Sequence, residues 1–258
     1  MTRATMTEPL FPRPIAHRGL HDQAAGVIEN SAAAFEAAIA GNFAIECDVQ
    51  LTSDGVPVVF HDDAMERLLG LPGPVADASS ARVTTTPLLG SAAGNCPQTF
   101  PAFIAQIAGR TLLQIELKQQ RDAQNTQALA RTVAQALASY AGPVTVESFD
   151  PTLLTAIRAH GFAGPRGIIT YGYDTPEWDG KLTAAQRFAL RHLLHWPQTR
   201  FDFISCHDAA LTLPAIKFWR ALGKPVTAWT IRSRVAAAAA RPHIDQIVFE
   251  GFNPDIAE

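Results

Sequence analysis

Short β-branched runs alternate with Ala- and Leu-rich stretches along the whole chain, and this alternation limits the possible folds more than any other feature. Strand-like runs cover residues 14–17, 44–51, 111–118, 144–148, 167–171, 201–206, 225–231 and 246–250. The second run continues through 57–61, and the Asp54-Gly55 step between its two pieces marks a tight hairpin. Helical spacing covers 31–40, 101–108, 123–140, 151–159, 184–195, 213–222 and 234–241. Leu129, Val133 and Leu137, for example, share one helical face. Gly41, Gly161 and Gly223 follow helices, where a left-handed residue often ends the last turn. Repeated strand–helix alternation predicts an α/β fold with a parallel sheet. Eight such units in 258 residues predict a closed (β/α)8 TIM barrel rather than an open sheet.

Residues 62–99 break the rhythm, with Pro72, Gly73, Pro74, Pro87 and Pro97 and no clear strand. They read as a small insertion after the second strand, within a single domain spanning 1–258. Insertions at the carboxyl ends of barrel strands build or cover active sites. A net charge of −3 argues against a protein that grips nucleic acid broadly. Cys47, Cys96 and Cys206 are odd in number and lack metal-ligand spacing, so they read as small buried side chains in a reducing compartment. Residues 1–14 carry Arg3 but no apolar run, unlike a signal peptide. Apolar stretches fall short of a membrane span, and the alanine run 236–240 reads as a helix face. The expectation is a cytoplasmic protein without stable membrane insertion.

In a barrel of this kind the chemistry sits at the carboxyl ends of the strands. The first strand ends in His17-Arg18-Gly19, and the second carries Glu46-Cys47-Asp48 and ends its hairpin in His61-Asp62. The third carries Glu116-Leu117-Lys118. Side chains alternate along a strand, so Glu46 and Asp48 share the inner face, as do Glu116 and Lys118, while Ile45, Cys47 and Val49 face the helices. Buried charge is costly unless compensated. A divalent cation is the natural compensator, and all-oxygen ligation suits Mg2+ or Ca2+ better than zinc. The bland alternative is a buried ion-pair network of the three carboxylates with Arg18 and Lys118, but that leaves excess acid facing His17 and His61. A lone histidine at a strand end is usually structural. Two beside an acidic cluster are candidate general acid and base. His21, His160, His192, His195 and His243 read as bland, and His207 follows the sixth strand.

The segments IAHRG at 15–19, ENSAAAF at 29–35 and IECDVQLTSDGVPVVFHD at 45–62 resemble the glycerophosphodiester phosphodiesterase family. Weaker likeness continues in IELK at 115–118, ESFDP at 147–151 and AWTI at 228–231. The resemblance implies a (β/α)8 barrel with a small insertion after the second strand. It implies Glu46, Asp48 and Glu116 as metal ligands, His17 and His61 as catalytic residues, and Arg18 and Lys118 near the phosphate. It also implies Glu29 and Asn30 at the site rim and Trp229 lining the substrate cleft. Two positions depart from the pattern. Arg232 stands where the family often has Asn, and Glu250 where its last strand often ends in Asp. Neither is expected to touch the metal or the histidines, so both bear on the alcohol end of the substrate.

The implied reaction is metal-dependent hydrolysis of a small-molecule glycerophosphodiester to sn-glycerol 3-phosphate and an alcohol. Alternatives are lysophospholipase D-like cleavage of a lysolipid, using Leu68, Leu69, Leu71, Leu88 and Leu89 as an apolar ramp, or a non-catalytic binding protein on the same scaffold. A missing histidine or carboxylate would favour the last; all five are present.

Overall fold

A computed structural model describes residues 9–175, 180 and 182–256. The signal-peptide reading falls largely on residues 1–8, outside the described residues. The chain runs β1 (Ile15–Ala16), α1 (Ala32–Ala40), β2 (Ala44–Leu51), β3 (Pro57–Val59), α2 (Glu66–Leu69), α3 (Ser80–Thr85), α4 (Phe100–Ile107), β4 (Leu113–Leu117) and α5 (Ala123–Leu137). It continues through β5 (Val144–Ser148), α6 (Pro151–Ala159), β6 (Arg166–Thr170), α7 (Ala184–Arg191), α8 (Trp196–Thr199) and β7 (Phe203–His207). It closes with α9 (Pro214–Ala221), β8 (Val226–Ile231), α10 (Arg234–Ala240) and β9 (Gln246–Phe249).

Every strand but β3 pairs in parallel with its neighbours, and β1 bonds to both β2 and β9, which closes the sheet into a barrel. β3 lies antiparallel on β2 through the hairpin at Asp54-Gly55, where Gly55 takes φ 76°. Alternation sorts the side chains. Ile45, Cys47 and Val49 of β2, and Leu113, Ile115 and Leu117 of β4, join the core beneath the helices. The amino end of the barrel interior is plugged by Phe11, Ile15, Ala44, Leu112, Phe203 and Val248. Gly167 faces this plug, and a Cβ there would lie 2.2 Å from the Phe203 ring.

Helix starts carry side-chain caps. Ser31 accepts from Ala34 N–H, and Asp150 from Thr152 N–H ahead of Pro151. Of the three glycines expected to be left-handed, Gly161 and Gly223 are, at φ 99° and 81°. Gly41 is not: its φ is −78°, and Asn42 takes the left-handed turn at 56°. What Gly41 supplies is room, since a Cβ would meet the Phe43 ring at 2.7 Å. The insertion holds two short helices, α2 and α3, over its own small core of Val58, Phe60, Met65, Leu68, Leu69, Val75, Val83 and Leu88. Its leucines are therefore mostly folded in, with Leu89 exposed. Cys47 and Cys206 are buried and Cys96 is half-buried, all as free thiols. Among the described residues no helix is long and apolar enough to cross a membrane.

Candidate active site

Parallel strands deliver their carboxyl ends to one mouth of the barrel, opposite the apolar plug. Glu46 and Asp48 enter it from β2 and Glu116 from β4, with Asp48 in register beside Glu116. One oxygen from each of the three lies within 4.8 Å of the others. The chain leaves β1 through a left-handed turn at Arg18 (φ 57°) and Gly19 (φ 80°). A Cβ on Gly19 would sit 2.9 Å from the Ala34 backbone, so the turn needs glycine. The turn aims Arg18 N–H at Glu46 Oε2, 2.9 Å away, and carries the guanidinium back over Asp48, with Nε 3.5 Å from Oδ2.

Lys118 Nζ lies 3.0 Å from Glu116 Oε1 and 3.4 Å from Asp48 Oδ1. Asn30 Nδ2 donates to Asp48 Oδ2 at 2.9 Å. Asp48 thus collects the cations: burial alone would raise its pKa, but Lys118, His61, Arg18 and the Asn30 amide hold it well below the usual range. Glu46 is pushed well above its ordinary value by burial and by its negative neighbours Asp48, Glu116 and Glu147. Burial also raises Glu116. Glu147, 2% exposed on the inner face of β5 beside Glu116, is pushed up to about 8, chiefly by burial. The ion-pair network weighed from the sequence does form, but it does not balance. Arg18 is shared with Glu29, whose Oε1 it meets at 2.6 Å, and the acids outnumber Arg18 and Lys118. A surplus of hard oxygen donors converging on one point fits a divalent cation.

His17 and His61 flank this cluster. His17 Nδ1 stands 2.5 Å from Glu250 Oε2, and its Nε2 lies 4.0 Å from Glu46 Oε2. Burial pushes the His17 pKa down against the pull of Glu250. His61 Nδ1 stands 2.7 Å from Asp62 Oδ1. An arginine backs each carboxylate: Arg232 Nε donates to Glu250 Oε1 at 2.7 Å, and Arg67 Nε to Asp62 Oδ2 at 2.6 Å. Arg67, on α2, also donates to Glu29 at 2.7 Å and so ties the insertion to Arg18. Despite partial burial, which opposes ionisation, the His17 contact holds Glu250 low, and His61 and Arg67 do the same for Asp62.

A cleft of about 1870 Å³ opens above the cluster, lined by His17, Arg18, Glu46, His61, Glu116, Lys118 and Trp229 among others. Asp48 lies at 1% exposure beneath, and Asn30 at 2% behind it, while Glu29 braces Arg18. Trp229 Nε1 donates to Ser205 O at 3.1 Å. Its ring meets Phe149 edge-on, with centroids 5.5 Å apart, and Tyr171 and Tyr173 extend this aromatic wall.

The expectation that Arg232 and Glu250 stay clear of the histidines is overturned, since Glu250 is the hydrogen-bond partner of His17. Closure of the barrel brings the last strand beside the first, and with it Glu250 beside His17. Nor is His21 idle: its Nε2 lies 3.8 Å from Glu250 Oε2, and His195 and His207 line the cleft. Glu147 was readable too, because it alternates with Thr145 onto the inner face as Glu46 does with Ala44. Arg67 offered no such signal, since its reach depends on how the insertion folds back.

Solved structures share this barrel and are phosphodiesterases by description. A phosphodiesterase of Oleispira antarctica, in complex with the product sn-glycerol-3-phosphate, aligns over 93% of each chain with a TM-score of 0.76 and 20% identity. A putative glycerophosphoryl diester phosphodiesterase of Silicibacter pomeroyi aligns over 94% of this chain and 90% of its own, with a TM-score of 0.73 and 22% identity. At such identity the likeness establishes the fold. The uncharacterized protein YqiK of Bacillus subtilis (strain 168) is 46% identical over 71 residues, which span 27% of this chain and 28% of that relative. The model of the Glycerophosphoryl diester phosphodiesterase family matches residues 17–249, and the chain belongs to that family.

Proposed function

We propose that this protein hydrolyses a small-molecule glycerophosphodiester to sn-glycerol 3-phosphate and an alcohol, with His17 and His61 as the proton-transfer pair. The observation that carries the reading is two histidines, each with Nδ1 on a carboxylate, on either side of a converging carboxylate triad. Glu46, Asp48 and Glu116 are the residues that would hold one divalent cation, Mg2+ or Ca2+. When bound, that cation neutralises phosphate charge and orients the diester. Arg18 and Lys118 add donors where negative charge grows on the phosphoryl oxygens. Asn30 and Glu29 hold Asp48 and Arg18 in position. One histidine removes the proton from the attacking oxygen, that of water or of the glycerol 2-hydroxyl. The other gives a proton to the alcohol oxygen as the P–O bond breaks. Trp229 and its aromatic neighbours line the wall against which the organic part of the substrate rests. The whole chain is read as one catalytic unit, with 62–99 as an insertion. No nucleic acid or membrane insertion enters the reading.

The Oleispira relative's complex with sn-glycerol-3-phosphate supports the glycerol end of this assignment. A lysolipid substrate is the second reading. What favours it is the apolar side of the cleft, where Phe149, Tyr171, Leu182 and Leu190 lie. The insertion leucines do not, since most are buried in their own core. The test is turnover of glycerophosphocholine against lysophosphatidylcholine, with and without chelator, read as release of free choline. Chelator-sensitive turnover of the first supports the main reading, and turnover of the second alone selects the lipid reading. Chelator-resistant turnover, or none of either substrate, sinks the proposal.

A further inference from the structure

We propose that Glu250 is the positioning residue for His17 and that Arg232 anchors Glu250 in that task, so that the two departures from the family pattern form one working unit. This rests on the reading that His17 transfers a proton during phosphodiester cleavage. β9 pairs with β1, with Ala16 beside Phe249, and His17 N–H donates to Phe249 O at 2.9 Å. Residues 17 and 250 therefore leave adjacent strands side by side. A carboxylate only accepts hydrogen bonds, so the 2.5 Å contact puts the imidazole proton on Nδ1. Nε2 then keeps its lone pair on the side of the carboxylate cluster, where Glu46 Oε2 lies 4.0 Å away. The same contact fixes the ring's rotation. Carboxylates that orient a working histidine act in this way, by setting tautomer and direction.

A glutamate has one more methylene than an aspartate and one more torsion to immobilise. Arg232 supplies the second anchor from the turn after β8, bonding the oxygen that His17 leaves unused. Its own side chain is 65% exposed, so it tethers Glu250 from the solvent side rather than sharing its burial. His21 Nε2, 3.8 Å from the His17-bound oxygen, closes the third side. The carboxylate is thus held from three directions, and the orientation of His17 follows from it.

The experiment compares wild type with Glu250→Gln, Arg232→Gln and the double variant, each loaded with the divalent ion that supports turnover. Two quantities are read: kcat and KM on glycerophosphocholine, and the tautomer of His17 from two-bond proton–nitrogen spectra of labelled imidazoles at about pH 8, where a free imidazole is neutral. A glutamine can accept or donate, so it serves either tautomer. Glu250→Gln is expected to lower kcat about 10–100-fold, the usual cost of losing a histidine's orienting partner. KM should stay within about threefold, with metal affinity and Tm near wild type. The His17 spectrum should lose its single Nδ1-protonated form. Arg232→Gln should cost about two- to fivefold, in keeping with an exposed ion pair. The double variant should fall no further than Glu250→Gln. Because Arg232 is exposed, its variant keeps the test available if Glu250→Gln does not fold. Wild-type kcat with an unchanged His17 spectrum in Glu250→Gln overturns the proposal. So does a loss of activity that tracks lowered Tm or metal affinity with the tautomer intact. If wild type cleaves no glycerophosphodiester, the reaction reading fails first, and the spectrum alone decides whether Glu250 sets the ring.

Discussion

His17 stands 2.5 Å from a carboxylate 233 positions along the chain, whereas His61 stands 2.7 Å from its immediate neighbour Asp62. Behind Glu250 is one exposed arginine, Arg232. Behind Asp62 is Arg67, which holds Asp62 and Glu29 together and through Glu29 reaches Arg18. The His17 side chain is 14% exposed and that of His61 30%. The two arms present the same histidine–carboxylate–arginine order but are built differently. One depends on the barrel closing, and the other on a sequence-local pair and the docking of an insertion. Chemical equivalence at a site therefore does not imply equivalent support, and the two arms should fail in different ways.

The largest effect should ignore the difference, because both arms converge on Glu46, Asp48 and Glu116. Exhaustive chelation should remove at least about 10³-fold of turnover, with Mg2+ or Ca2+ restoring it. Activity that survives with no metal detectable by elemental analysis would remove the shared centre and leave the arms unrelated. Next come the histidines. His17→Ala and His61→Ala should each lower kcat about 10²–10⁴-fold, and the double variant much less than their product. A nitrophenyl diester needs little protonation of its leaving group, so the variant that recovers on it marks the general acid. Simple multiplication of the two losses would show that the arms work in separate steps.

A smaller effect should separate the buttresses. Arg67→Gln loosens His61 and Arg18 at once, so it should cost about tenfold, with KM rising as well as kcat falling. A cost no greater than that of Arg232→Gln would mean that the insertion's grip adds nothing. The smallest effect is the control on the outer face of β2. Cys47→Ala should leave kcat within about twofold while lowering stability by about 1 kcal/mol, measured by denaturant melts. A larger loss in turnover than in stability would reverse the facing of the whole strand.

That facing was legible beforehand. Alternation alone puts Glu46 and Asp48 inside with Cys47 outside, and helix spacing alone yields α6 and all of α5, overrunning the latter by three residues. The first half of the local arm was within reach too, since His61-Asp62 is written in two consecutive letters, whereas Arg67 was not. The arm built by closure was not. A reading along the chain treats residue 250 as remote from residue 17, and only the pairing of β9 with β1 brings them together. Gly41 illustrates a finer limit. Composition marked a turn there, but whether glycine or the next residue takes the left-handed conformation depends on how Phe43 packs. The helices of the insertion escaped because four to six residues cannot display a helical period.

The pairing of β1 with β9 also bears on how the protein comes into being. A chain emerging from the ribosome exposes His17, Asp48, His61 and Lys118 well before Glu250. Glu250 follows 233 residues after His17, a delay of roughly 10–50 s at ordinary elongation speeds. Until then β1 has a bare edge where β9 will bind, and His17 has no partner to set its ring. Before the last strand docks, the sheet is a barrel with a gap and His17 is a slack histidine, so the site reaches its full proton-transfer efficiency only when β9 closes on β1.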